Sequence, residues 1–390
     1  MKTITKLTAT VLTALCLIAG CAFLPSISVE AHAIPANLDT SVTERDSSGE
    51  YNTEKAVYLS PEDNLTITQT GVYILSGSYK NKMITVDAGE EDKIQIVLEN
   101  AVLTNESGPA IYVRSADKVF LTAAEGTENT ISDGSNYVIT DGETNLDAAI
   151  FSKEDLTING SGKLTINGNN KHAVVSKDDL VITAKDLIVT AVNSCLCGKD
   201  SVKISEAAVS AAAGTDGIHS DEIVMLLSGT VNIRASEGIE ASYILITGGD
   251  LSIQASDDGI NAARKSADYT PTVEITGGTV TVSMGAGDTD GIDSNGNIII
   301  TGGIIYVNAN SPFDYDGSAS FTGGTVYVNG SQVTTLPNQM MGGFGNRGGM
   351  GNQGGFWGNS DGQSGSGNQG GFATPPDGQG GFRGGFGKHL

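Results

Sequence analysis

A short phrase that returns at a fixed interval limits this chain more than any other feature. Asp216-Gly217-Ile218-His219-Ser220 is followed by Glu237-Gly238-Ile239-Glu240-Ala241, Asp258-Gly259-Ile260-Asn261-Ala262 and Asp290-Gly291-Ile292-Asp293-Ser294. A worn copy, Pro312-Phe313-Asp314, comes last. The central apolar residues Ile218, Ile239, Ile260, Ile292 and Phe313 are 21, 21, 32 and 21 residues apart. Upstream, Leu196, Val174 and Ile150 extend the series at intervals of 22, 22 and 24. Ile111 in Gly108-Pro109-Ala110-Ile111 stands 39 before Ile150 as an early version of this marker. A constant interval in this range signals a solenoid.

Between markers the chain alternates apolar and polar residues in short runs such as Val231-Asn232-Ile233-Arg234 and Ile305-Tyr306-Val307-Asn308. Paired turn residues such as Gly248-Gly249 and Gly302-Gly303 separate them. This is strand patterning. A 21-residue interval holds about three short strands and their bends, and successive coils would stack about 4.8 Å apart. The expected fold is all-β: a single parallel β-helix over 56–335, whose inward Ile, Val, Leu and Ala form continuous columns. An antiparallel sandwich would not explain the interval.

Flanking segments differ in composition. Residues 1–33 begin with Lys2 and Lys6, and Leu7 to Gly20 is a short, mostly apolar core, so the segment reads as a signal peptide. Leu17-Ile18-Ala19-Gly20-Cys21 resembles a bacterial lipobox with Cys21 lipidated, and Ala31-His32-Ala33 is the rival cleavage site. Either way an extracellular or cell-surface product is expected, with a lipid anchor on Cys21 as its only membrane contact. Residues 34–55 read as a polar linker, and 56–145 as irregular first coils with a cap. Residues 336–390 are rich in Gly, Gln, Asn and Phe, contain the only Trp, Trp357, and read as a disordered tail. Its aromatics could contact sugars, cell wall or other chains.

Charge narrows the partners. Lys plus Arg number 22 against 45 Asp plus Glu, for a net charge of −23, which argues against nucleic acid and anionic membranes. We expect a monomer. Cys195 and Cys197 are the only thiols outside the leader. As alternate residues of one strand they would project to the same side, about 6.6 Å apart. They read as space-fillers in the stack, with a strained bridge as the alternative and too few partners for a metal.

Stacked in register, the residue two before the marker gives the column Ser194, Asp216, Glu237, Asp258, Asp290, Ser311. The residue after the marker gives Cys197, His219, Glu240, Asn261, Asp293, Asp314, and Asp257 and Asp288 lie beside these. Unit charges at such spacing repel by about 1 kcal/mol even in water. Hard oxygen ligands of this kind suit Ca²⁺, so the candidate metal ligands are Asp216, Glu237, Asp258, Asp288, Asp290 and Asp293. The competing reading makes Asp-Gly a turn dipeptide in which Gly supplies positive φ. That reading accounts for the first column and not for the second. The long repeat inserts 11 residues (32 minus 21) around Arg264-Lys265-Ser266-Ala267-Asp268-Tyr269 and Gly285-Ala286-Gly287-Asp288, and such insertions usually fall on the functional face. His219, Glu240, Asn261, Arg264 and Tyr269 are therefore candidate ligand contacts. Three after the marker, Lys153, Lys177 and Lys199 form a column beside Glu154, Asp178 and Asp200, which reads as a solvated ladder. Elimination of a uronate needs a cation and a base. If the chain is a lyase, Lys199 and Arg264 are the candidates, with Lys177 and Lys265 also near the edge.

The runs Gly71-Val72-Tyr73-Ile74-Leu75-Ser76-Gly77, Ala110-Ile111-Tyr112-Val113-Arg114-Ser115, Ala173-Val174-Val175-Ser176-Lys177-Asp178 and Asp216-Gly217-Ile218 resemble the clostridial carbohydrate-binding domain family. The resemblance covers about residues 45 to 335, and several members carry Gly-rich tails. It implies a right-handed parallel β-helix like that of pectate lyases, extracellular location, calcium binding, and affinity for cellulose-like and acidic, pectin-like polysaccharides. Catalysis is not a firm property of the family. Where members usually have Asp-Gly-Ile-Lys-Gly, this chain has Ser194-Cys195-Leu196-Cys197-Gly198, which removes one carboxylate from the column. Three functions are thus in play: a calcium-dependent, non-catalytic polysaccharide binder, a pectate-type lyase, and a structural adhesin. Neutral glucan would need exposed aromatic faces, for which the body offers Tyr243, Tyr269, Tyr306, Tyr315, Phe321 and Tyr327.

Overall fold

The computed structural model describes residues 38–63, 65–138, 146–287 and 289–338. The expected leader, most of the tail, and Asp288 lie outside them. The described chain is a parallel β-solenoid with almost no helix. Each coil runs through a marker strand, a second-sheet strand and a third-sheet strand, as in Asp216–Ser220, Ile223–Leu226 and Gly229–Ala235. The marker sheet contains 11 strands, from Thr66–Ile67 to Ser311–Tyr315. The second and third sheets count as one hydrogen-bonded system because the long strands Gly71–Lys80 and Lys93–Asn105 run through both. Their junction has a register shift at Ser76/Gly77. The solenoid ends where Ser331–Val333 folds back antiparallel on Thr325–Val328.

The register follows the marker. Ile111, Ile150, Val174, Leu196, Ile218, Ile239, Ile260, Ile292 and Phe313 pair in succession. All are buried in one continuous core. No coil covers its own apolar face, so each depends on its neighbours.

Strict alternation fails at the marker, and this decides what faces outward. The residue before the marker also points inward: Ala110, Ala149, Ala173 and Cys195 belong to the same core. Gly217, Gly238, Gly259 and Gly291 hold this place later. A Cβ on Gly259 would lie 2.3 Å from Val282 Cγ1 and 2.4 Å from the Gly291 carbonyl oxygen. None of these four glycines has positive φ, so the expected turn chemistry is corrected. They are strand residues with no room for a side chain. Two residues after the marker, Ser152, Ser176, Ser220 and Ser294 are fully buried. Their hydroxyls donate to carbonyls at the bend, as Ser152 Oγ does to Glu154 O at 2.6 Å. The marker phrase thus spends three positions on packing and leaves two, the acidic columns, facing solvent.

Residues 38–51, polar and aperiodic, lie against the outer face of the second sheet. The short helix Glu44–Ser48 has a capping box from Thr43 and Asp46. Asp46 is buried, pairs with Lys118 Nζ at 2.9 Å and accepts from Thr157 Oγ1 at 2.5 Å. Asn159 and Thr183 donate to its carbonyl, and Lys203 Nζ donates to Ser41 O at 2.7 Å.

Candidate functional site

The outer face of the marker sheet collects the charged groups. Asp216 pairs in register with Glu237, and Asp258 with Asp290. In the other column, Cys197, His219, Glu240, Asn261, Asp293 and Asp314 follow one another.

The ladder divides into two parts. In the first, Asp216, His219 and Glu240 bring ligand atoms within 4.8 Å of one another. His219 Nδ1 donates to Glu240 Oε2 at 3.0 Å and lies 3.6 Å from Asp216 Oδ2. Lys265, from the insertion, reaches Glu240 Oε1 at 2.6 Å. Its loop is anchored where Lys265 N and Ser266 N donate to Ser242 Oγ. Sequence reasoning could not place this insertion, because a loop carries no period. Burial opposes charge on Glu240, but the hydrogen bonds from His219 and Lys265 outweigh it and hold the carboxyl below its ordinary range. Burial likewise opposes charge on His219 and Lys265, and their acidic partners overcome it and raise both. This cluster supplies its own counter-charges.

The second part does not. Burial, then Glu240, pushes Glu237 up to about 7. Burial, then Asp293, Asp257 and Asp290, pushes Asp258 up to about 7. Burial, then Asp314 and Asp290, does the same to Asp293, again to about 7. Asn261 sits among them, and its Nδ2 donates to Glu237 Oε2 at 3.2 Å and Asp258 Oδ2 at 3.3 Å. Its Oδ1 is buried without a hydrogen-bond partner. An amide oxygen that has lost water without gaining a donor is costly. Surrounded by carboxylates, it calls for a cation. Glu237, Asp258, Asn261 and Asp293, with Asp290 in register, form a hard oxygen set of the kind Ca²⁺ takes.

The remaining expected residues are placed as follows. Arg264 is exposed on the insertion. Tyr269 tilts against buried Tyr243 at 6.0 Å, and Tyr243 donates to buried Glu274. Lys199 pairs with Asp200 at 2.8 Å, whose hydrogen bond and charge raise it. Lys177 and Lys153 lie over the rings of Phe151 and Tyr112, at 5.5 and 5.8 Å. Tyr306 and Tyr327 stack on each other at 5.0 Å and 10° in the third sheet. Their facing surfaces are turned to one another and offer no platform between them to a sugar.

The two cysteines correct the expectation that they share a side. Both are free. Cys195 is in the central core, where its thiol donates to Val189 O at 3.5 Å. Cys197 points the other way and packs outside the sheet with Tyr112, Phe151 and Val175. Two successive inward residues, Cys195 and Leu196, invert the simple i, i+2 rule here. Sequence reasoning also missed His172, whose place two before Val174 puts it in the first column.

A family model described as carbohydrate-binding domain-containing protein matches residues 61–335. A carbohydrate-binding domain-containing protein of Acetivibrio thermocellus is 38% identical over 58 residues, which is 15% of this chain and 20% of that relative's length. Among solved structures, the polysaccharide lyase-like protein from C. thermocellum, as a gadolinium derivative, aligns with a TM-score of 0.37 and 26% identity. That alignment covers 72% of this chain and 88% of the other.

Proposed function

Because the chain belongs to the carbohydrate-binding domain family, we propose that it is an extracellular protein that binds acidic polysaccharide through Ca²⁺ and does not cleave it. The observation that carries this reading is the orphaned Asn261 Oδ1 among carboxylates raised to about 7. Bound there, Ca²⁺ would supply positive charge shared between the protein's carboxylates and those of the glycan. Without such a bridge, a chain of net charge −23 repels a polyuronate. The ladder is straight and offers a ligand position about every 4.8 Å, which suits an extended polymer.

Chemistry at the basic residues favours binding over elimination. An elimination base must be unprotonated and within reach of its proton. Lys265 and Lys199 are both held as ammonium by carboxylates, and Arg264 stays protonated at any ordinary pH. Neutral glucan should bind weakly, since Tyr243 is buried and Tyr306 and Tyr327 spend their facing surfaces on each other.

The test is retention on polygalacturonate, with and without chelator, alongside a cellulose column. Calcium-dependent retention that Asp258→Asn plus Asp293→Asn abolishes is the expected result. Retention unchanged by chelator, or release of ultraviolet-absorbing unsaturated uronates, would overturn the reading.

A further inference from the structure

Next to the calcium ladder lies a small pocket of about 180 Å³ whose donors are of another kind. His172, Cys197, His219 and Asp221 all line it. We propose that this pocket is a transition-metal site, of the Zn²⁺ type, built from His172 Nδ1, Cys197 Sγ and His219 Nε2, with Asp221 or water completing the shell.

Three observations carry it. Cys197 Sγ lies 3.7 Å from His172 Nδ1. With Zn–S about 2.3 Å and Zn–N about 2.0 Å at a tetrahedral angle, two ligands of one ion stand about 3.5 Å apart, so this pair needs almost no movement. The backbone N–H of Ser194 also points at His172 Nδ1, at 3.4 Å, so that nitrogen is an acceptor with its lone pair turned toward the thiol. Finally, His219 pairs in register with Cys197. Its Nδ1 is already taken by Glu240 at 3.0 Å, while Nε2 lies 3.5 Å from Asp221 Oδ1. A carboxylate on one ring nitrogen and an ion on the other is the usual support for a metal-bound histidine.

The donor set separates this site from the ladder below it. Thiolate and imidazole select Zn²⁺ and its neighbours, whereas Ca²⁺ takes oxygen. Binding is a proton exchange: the Cys197 thiol proton and the proton on His219 Nε2 leave to solvent as the metal bonds form. The ion would join three consecutive coils, since His172, Cys197 and His219 belong to successive marker strands.

Co²⁺ is a visible stand-in for Zn²⁺. Full-length protein is kept reduced with a non-thiol phosphine and titrated with Co²⁺ in excess calcium. The near-ultraviolet thiolate-to-cobalt band should appear, and one equivalent of Zn²⁺ should remove it. Cys197→Ser should abolish the band. Cys195→Ser should keep it, since that thiol faces the core. His172→Gln should weaken Zn²⁺ binding roughly tenfold or more and guards against a misfolded serine variant. Asp258→Asn, in the calcium ladder, should leave the band intact. A wild-type protein without the band, or a band lost in Cys195→Ser but kept in Cys197→Ser, would overturn the proposal.

Discussion

Replacing Asp258 by Asn removes one charge from the ladder while keeping its shape. The Asp258 carboxyl titrates at about 7, against an ordinary 3.8, because it is part-buried and faces Asp293, Asp257 and Asp290. At 1.36 kcal/mol per unit, keeping it ionised above pH 7 costs about 4 kcal/mol. The repulsion is shared with its neighbours and partly screened, so neutralising one group should return about 2 kcal/mol. The sign follows from linkage: a carboxyl raised on folding contributes stability below its unfolded pKa and loses it as pH rises to its folded pKa. Calcium-free Asp258→Asn should therefore match the wild type near pH 4 and exceed it near pH 7.5.

For a described chain of about 290 residues, unfolding entropy near 2.1 cal/mol/K per residue converts ~2 kcal/mol into a Tm increase of about 3 °C. Calcium should reverse the order. At a hundred times its Kd it stabilises the wild type by about 2.7 kcal/mol, and the variant forfeits most of that. The assay is a melting curve for each protein at both pH values, with chelator and with calcium. An apo variant less stable than wild type near pH 7.5, an equal difference at both pH values, or equal stabilisation of both proteins by calcium would each refute the reasoning.

Gly259→Ala should destabilise by about 3 kcal/mol, since its Cβ would strike Val282 and the Gly291 carbonyl at 2.3 and 2.4 Å. Gly285→Ala, whose nearest contacts are at 3.6 Å, should stay within about 0.5 kcal/mol, and denaturant midpoints distinguish the two. Asp46→Ala should cost about 2 kcal/mol by stranding the part-buried Lys118, and should make Arg45 an early site of tryptic cleavage. In the wild type burial opposes the Asp46 charge, but hydrogen bonds from Thr157, Thr43 and Lys118 outweigh it and lower its pKa. That contact should therefore persist above the usual Asp range and loosen as pH falls below it, read by cleavage rate against pH.

The coil register was legible because the marker combines an apolar residue with an interval, and both survive in every copy from Ile150 to Phe313. The acidic columns were legible for the same reason. What was lost depended on direction and on loops. Alternation assigns every second residue to one side, but Cys195 and Leu196 both face the core, so Cys197 emerges on the outside. The glycine before each marker has the composition of a turn and the φ of a strand, and only the distance to Val282 or its equivalents shows why it is there. Lys265 was visible as a charge, but its reach to Glu240 depends on a loop pinned by Ser242. The docking of residues 38–51 rests on single polar contacts such as Asp46 with Lys118, which leave no periodic trace.

The packing rule also explains why one face can carry such different chemistry. Each marker strand commits the small residue, the apolar residue and, in most coils, the serine to the interior, so the two outward positions can change without disturbing the core. Early coils place aromatics there, Tyr112 and Phe151, under Lys153 and Lys177. Middle coils place His172, Cys197 and His219 around a pocket. Late coils place Glu237, Asp258, Asn261 and Asp293 in a ladder that lacks counter-charge. The transition falls at Glu240, where His219 and Lys265 neutralise the first carboxylate of the second column. A cation entering the ladder therefore meets its strongest demand one coil further on, at Asn261, where the unpartnered oxygen lies. The polymer-binding register should be centred there rather than at the histidine.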